Sequence, residues 1–256
     1  MIVDTQIISY CYSGHWSSNE SAGAEISSVT ASEFLSFHTR ETGKSDYYVI
    51  NPNMYGSRHS VELIAAYTGH AGNAKWAKMG SKRTDSLIID FSSEYRPYRV
   101  FGNDAITCII NERNLGAFKL SISHLDKGRQ KNLKKKIEYI FDKKIYCHRI
   151  NENICEVAME LFDKFQVNIT PKENIKNTIN DLLILSTAID KKVSLLTKDK
   201  VLGKLAAKEH SGKIITDNDS LMVDFSVSNT SREKASRESK GYINRGWAYS
   251  FAKGNF

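Results

Sequence analysis

Four acids stand out by position: Asp4, Glu33, Asp181 and Asp199. Each lies beside a stretch that reads as a strand end or a helix start. Met1-Ile2-Val3 is a short apolar strand ending in Asp4-Thr5. Glu33 falls in Ser28-Val29-Thr30-Ala31-Ser32-Glu33-Phe34-Leu35, a helix start. Thr178 to Ile189 reads as an apolar helix with Asp181 near its beginning. Val193-Ser194-Leu195-Leu196-Thr197 then reads as a buried strand, with Asp199 just past its end. In an open α/β sheet, groups beyond strand C-termini face the crevice where ligands bind. The four carboxylates are therefore expected to converge on one sheet edge.

Converging carboxylates repel one another, and some would be forced to protonate. A hard divalent cation relieves that repulsion. Mg²⁺ or Mn²⁺ takes oxygen ligands, and Mg²⁺ needs only one or two direct carboxylates, the rest being water and phosphate. Such an ion lowers the pKa of a bound water, neutralises non-bridging oxygens and stabilises a leaving oxygen. Asp4 and Asp199 are the expected direct ligands. Asp181 would share the metal or a metal-bound water, and Glu33 would be a ligand, a water-orienting group or a general base. Thr5, Asn180 and Thr197 would hold these ligands or a phosphate.

Each acid also has a purely local reading. Thr30-x-x-Glu33 fits a capping box. Asp181 follows a potential Asn180 cap and suits a helix dipole. Asp199 reads equally as an N-cap, and Asp4 as a strand-end turn former. Asp217 and Asp219, after another apolar run, read as turn formers.

The motifs Asp4-Thr-Gln-Ile-Ile, Thr30-Ala-Ser-Glu33-Phe-Leu, Asn180-Asp181-Leu-Leu-Ile-x-x-x-Ala188 and Leu196-Thr-x-Asp199-x-x-Leu202 resemble the four acidic signatures of PIN-domain nucleases, in the family's order. The nearest likeness is to the VapC-like toxins of toxin–antitoxin pairs. It covers roughly residues 1–38 and 143–220. The chain departs from the pattern between Glu33 and Asp181, where it is much longer than a small PIN toxin. The resemblance implies a three-layer α/β/α fold and a Mg²⁺- or Mn²⁺-dependent endoribonuclease that leaves a 5′-phosphate and a 3′-hydroxyl. Its implied roles are toxin, defence nuclease or RNA-processing enzyme. Its implied partners are an RNA substrate and an antitoxin or regulatory protein, and a homo-oligomer is allowed. The alternative is a non-catalytic PIN-like scaffold that binds RNA or protein.

The elements that must position these acids alternate in type. Residues 144–150 read as a strand. Ile154, Val157, Ala158, Leu161, Phe162 and Phe165 make one helical stripe. Val201–Ala207 reads as a helix and Lys213–Thr216 as a strand. Strands alternating with helices argue a parallel sheet. The segment between is different. Ser86–Phe91, Tyr98–Phe101, Ala105–Ile110 and Ala117–Ile122 look like short strands with turns between them, an antiparallel meander. Val61–Tyr67 reads as a short helix, and His15–Gly23 as a polar loop. The expected organisation is a discontinuous core, 1–38 with 143–226, an inserted α+β elaboration at 39–142, and a linker with an aromatic–basic tail at 227–256. That tail carries Tyr242, Trp247 and Phe251 with Arg245 and Lys253, and should dock on something.

The 256 residues, 41% hydrophobic, suffice for one large or two small domains. The net charge of +7 suits a polyanionic partner without requiring one. The densest basic run includes Lys131, Lys134, Lys135 and Lys136, a candidate nucleic-acid contact or a solvated helix face. Cys11, Cys108, Cys147 and Cys155 form no CxxC pair and no zinc spacing. They read as buried thiols of a cytoplasmic protein. No secretory signal or membrane span is expected. The chain has no P-loop and no GxGxxG. Asp4 also lacks the second Asp, two residues on, of a haloacid-type phosphatase, since Gln6 stands there. His38, His124 and His148 have no partners at ligand spacing.

Overall fold

The computed structural model describes residues 1–16, 22–36, 49, 84–91, 97–123, 125–168, 175–210, 213–217, 220–226 and 242–245. Strands are β1 (Ile2–Val3), β2 (Glu25–Ser27), β3 (Ser86–Ile89), β4 (Tyr98–Phe101), β5 (Tyr146–His148), β6 (Leu195–Thr197), β7 (Lys213–Asp217), β8 (Ser220–Asp224) and β9 (Tyr242–Arg245). Helices are α1 (Thr5–Ser13), α2 (Ser28–Phe34), α3 (Asn103–Asn111), α4 (Leu115–Ser121), α5 (Lys127–Asp142), α6 (Glu152–Asn168), α7 (Ile175–Lys191) and α8 (Lys200–His210). The expected helix at 61–67, the tip of the His15–Gly23 loop and most of the 227–256 tail lie outside the described residues. The chain forms two compact units. One contains Met1–Phe34, Ile89–Tyr98 and Lys143–Tyr242, and the other Leu35–Ile88, Arg99–Asp142 and Ile243–Phe256.

The first unit is α/β, built on a mostly parallel sheet in the order β5-β2-β1-β6-β8-β7. β5, β2, β1 and β6 run parallel, with Ile26 opposite Cys147 and Val3 opposite Leu196. The sheet is not wholly parallel, as the βα alternation suggested. β8 lies antiparallel to both β6 and β7. Asp217 pairs with Ser220, only three positions on. So short a connection allows a hairpin but no crossover, which needs a dozen or more residues. From β1 the chain builds outward through β2 to β5, then returns to the other side of β1 to lay down β6. The strand order therefore reverses between β1 and β6.

β1 and β6 are both buried, with Ile2, Val3 and Leu195 at 0% exposure. That explains their continuous apolar sequence without alternation. α6 and α7 pack along one another. Ile154, Val157, Ala158, Leu161 and Phe162 supply the buried stripe of α6, and Ile179, Leu182, Leu183 and Leu185 that of α7. Phe91 joins this core, its ring 4.9 Å from that of Phe162.

In the second unit, two expected strands are helices. Ala105–Ile110 lies within α3 and Ala117–Ile122 largely within α4. The β-branched content of Ala105-Ile-Thr-Cys-Ile-Ile suggested a strand, but its buried residues are Ala105, Ile106, Ile109 and Ile110, a helical spacing. Caps tip the balance. The backbone amides of Asp104 and Ala105 donate to the Asp85 carboxylate at 2.7 and 3.1 Å, opening α3. Asn114 accepts from the Ala117 amide at 3.0 Å and opens α4. Gly102 supplies the left-handed turn between β4 and α3, at φ 71°. β3, β4 and β9 form a separate sheet in the order β4-β3-β9. Part of the aromatic–basic tail thus docks as a strand of its own chain.

Cys11, Cys147 and Cys155 are buried, and none of the four cysteines is in a disulfide. Burial, with Glu152 and Glu156 adding to it, pushes the Cys155 thiol up to about 12. Among the described residues no helix is long and apolar enough to cross a membrane.

Candidate functional site

β1 and β6 end side by side where the strand order reverses, the position at which open α/β sheets hold their ligands. The Asp4 amide donates to the Leu196 carbonyl at 3.1 Å, which sets Asp4 against Thr197. Asp4 leaves the strand in extended conformation and caps α1. One of its carboxylate oxygens accepts from the Thr5 amide at 2.6 Å, and the other from the Thr197 hydroxyl at 2.7 Å. The residue is 4% exposed. Burial raises its pKa above the ordinary carboxylate value. The bonds from Thr197 and Thr5 work against that rise, and the charges of Glu33 and Asp199 add to it.

Glu33 sits in the last turn of α2, so the capping-box reading does not apply. Ser27, immediately before α2, supplies the cap instead, its Oγ accepting from the Thr30 amide at 3.0 Å. Glu33 is engaged by two other elements. The Thr5 hydroxyl donates to Oε2 at 2.5 Å, and the Asn180 amide nitrogen donates to Oε1. Asn180 Oδ1 in turn accepts from the Tyr98 hydroxyl. Burial and the Glu33 charge raise the Tyr98 pKa. The phenol therefore stays protonated and donates, which fixes the Asn180 amide with its nitrogen toward Glu33.

α7 begins at Ile175, three residues earlier than the Thr178 start expected from sequence. Asn180 is thus a buried interior residue and not a cap. Asp181 lies beside it, half-buried and beyond the first turn. The hydrogen-bonded link from α7 to Glu33 runs through Asn180. Asp199 does cap a helix: its Oδ1 accepts from the amides of Val201 and Leu202 at 2.8 and 3.0 Å. Its own amide donates to Thr197 Oγ1 at 2.9 Å. Thr197, fully buried, therefore ties Asp4 to the start of α8.

Asp4, Glu33 and Asp199, with Thr5, Asn180 and Thr197, form one interacting set at this edge. Tyr98 belongs to the same set and was not anticipated. It lies 82 positions from Asn180, and a Tyr within a short apolar run carries no local signal of such a role. All donors in the set are oxygens or amides, the chemistry a hard divalent cation prefers. Among the described residues, no three His, Cys, Asp or Glu side chains come close enough to form a ready-made metal cage. One or two of these carboxylates could ligate such an ion.

The other residues singled out by sequence sit elsewhere. The His148 ring pairs with Glu25 on the neighbouring strand, a partner that linear spacing could not reveal. His38 and His124 lie outside the described residues. Lys131 and Lys135 are exposed on α5, in the second unit. Lys134 reaches Glu138 at 3.5 Å, and burial lowers the pKa of Lys136. Asp217 closes the β7–β8 hairpin against Ser220.

No family model matches this chain, and no curated protein or solved structure matches it either.

Proposed function

We propose that this chain is a Mg²⁺- or Mn²⁺-dependent endoribonuclease with a three-layer, PIN-like α/β/α core, acting in the cytoplasm as a toxin or defence nuclease. One observation carries the reading. Asp4, buried at the strand-order reversal, is held there with its charge disfavoured by burial and by Glu33 and Asp199. A bound cation would offset that penalty. RNA as the substrate, and an antitoxin or regulatory partner, follow from the resemblance to PIN-domain nucleases.

Asp4 and Asp199 would hold the cation, with Asp181 or Glu33 reaching it through water. The ion, when bound, acidifies a water and neutralises phosphate charge. Glu33, positioned by the bonds it accepts from Thr5 and Asn180, would orient a water and take its proton. Thr197 holds Asp4 at the edge, and Tyr98 holds the Asn180 amide that steadies Glu33. Neither needs to touch substrate.

The test is incubation of the purified chain with total RNA in Mg²⁺ or Mn²⁺, followed by sequencing of the new ends. Metal-dependent 5′-phosphate ends that disappear in Asp199→Asn support the reading. RNA left intact by the metal-loaded wild type contradicts it. A second reading, a non-catalytic scaffold, has one observation in its favour: Glu33 and Asp199 already serve as hydrogen-bond acceptors within the protein. It predicts binding without cleavage.

A further inference from the structure

Beside the acidic edge lies a second group of side chains that the hydrolytic reading leaves unused. Lys198 stands between Thr197 and Asp199. Its Nζ lies 4.6 Å from the Tyr10 ring centroid and 4.8 Å from that of Trp16. Tyr10 is 38% exposed, one of few large hydrophobic residues open to solvent among the described residues. His15 is exposed and meets Tyr10 edge-on, with ring centroids 6.3 Å apart.

The local chain builds this arrangement deliberately. Gly14 ends α1 in the left-handed conformation, at φ 77°. The His15 amide then turns back to the Tyr10 carbonyl at 3.0 Å. That reversal brings Trp16 alongside the last turn of α1, where Lys198 reaches both rings. A side chain other than glycine would be strained at this φ. Exposed cation–π contacts of this kind contribute only about 0.5–1 kcal/mol. Stability alone is a weak reason to leave the Tyr10 ring exposed and that of Trp16 only half-buried.

We propose that Tyr10, Trp16 and Lys198 form a subsite for single-stranded nucleic acid, the rings stacking on bases and the lysine contacting the adjacent phosphate. Stacking on aromatic rings needs a free base face, which a duplex withholds. A lysine already held against two rings loses little further freedom on meeting a phosphate. The subsite adjoins Asp199 in sequence, so a strand held there passes the acidic edge. The inference deepens the nuclease reading by naming the substrate as single-stranded, and in that respect it rests on that reading.

The test separates binding from cleavage. A 5′-fluorescein-labelled 12-nucleotide RNA of mixed sequence is titrated with the full chain in EDTA, either single-stranded or annealed to its complement, and anisotropy is read. The wild type should prefer the single strand. Tyr10→Ala and Trp16→Ala should each weaken single-strand binding by about 5- to 150-fold, the range set by one stacked base. Duplex binding should barely change, and Tyr10→Phe and Trp16→Phe should retain affinity. Lys198→Gln, which leaves the rings in place, should lower the slope of log affinity against log salt by about one. No RNA binding by the wild type, equal affinity for duplex, or Ala variants that keep full single-strand affinity would each overturn the proposal. Alanine variants that lose thermal stability but not affinity would show that the rings only staple the surface. Because no cleavage occurs in EDTA, ring-dependent binding by a chain that cleaves nothing would sink the nuclease reading alone. Cleavage that is indifferent to the rings would sink the subsite alone.

Discussion

The Thr197 hydroxyl donates to the Asp4 carboxylate at 2.7 Å, joining residues 193 positions apart at the ends of two adjacent parallel strands. The same oxygen accepts the Asp199 amide at 2.9 Å. One buried hydroxyl thus ties the Asp4 carboxylate to the backbone of Asp199, the two residues proposed as ligands.

Thr197→Val should therefore cost more than an ordinary loss of one hydroxyl. It removes the donor to Asp4 and strands the Asp199 amide. Breaking a buried hydrogen bond while leaving a partner unsatisfied costs about 1–3 kcal/mol. Thr197→Ser, which keeps the hydroxyl, should lose less. Urea midpoints for the three proteins decide this. A Val variant as stable as wild type would show that the bond does not hold the edge.

Tyr98→Phe should behave as a loss at Glu33, although Tyr98 does not touch it. Without the phenol, Asn180 Oδ1 loses its donor and the amide is free to rotate its oxygen toward Glu33. A destabilisation of about 1–3 kcal/mol is expected. It should be strongly non-additive with Glu33→Gln, since the two residues share Asn180. A double-mutant cycle by chemical denaturation measures the coupling. Strict additivity would remove Tyr98 from the set.

Asp85 sets a pH dependence in the second unit. Burial raises its pKa from an ordinary 3.8 to about 6. The Asp104 and Ala105 amides oppose the rise, and the Asp104 charge supports it. The folded state thus favours the protonated form. Stability from this group is full below about pH 3.8 and is lost as pH rises through about 6. Relative to Asp85→Asn, wild type should lose about 2 kcal/mol between pH 4 and pH 7, from a shift of roughly two units. Urea midpoints across that range give the slopes, and parallel slopes would contradict the assignment.

Much of the first unit was legible because its signals are local. A buried parallel strand reads as an unbroken apolar run, as Ile2-Val3 and Leu195-Leu196 do. The α6 stripe reads by its period. The strand ends then located Asp4 and Asp199 without any knowledge of pairing. Three features were out of reach for different reasons. Ala105–Ile110 carries β-branched residues, and the Asp85 carboxylate that caps its helix lies 20 positions before Ala105. The β7–β8 hairpin was hidden because one of its strands had been read as part of a βα repeat. Tyr98 joins the site through a tertiary contact that no spacing encodes. Asn180 was noticed as a potential helix cap, but α7 starts earlier and gives it a different task.

The most direct measurement is RNA cleavage by wild type and Asp4→Asn, purified in parallel, at saturating Mn²⁺, with melting temperature recorded for both. The substitution keeps side-chain size and removes a buried charge that Glu33 and Asp199 disfavour. The raised Asp4 pKa favours the protonated fold. Its contribution is therefore full below the unfolded-state value and lost as pH rises through the folded one. At pH 7 metal-free Asp4→Asn escapes that charge penalty but turns an amide NH₂ toward either the Thr5 amide or the Thr197 hydroxyl, so the two effects oppose one another in its melting temperature. The account predicts metal-dependent cleavage by wild type and at least a ~100-fold loss in Asp4→Asn, the upper end of what an outer partner of a metal costs. Equal cleavage by the two proteins would place the activity elsewhere, and no cleavage by the metal-loaded wild type would contradict the hydrolytic site itself.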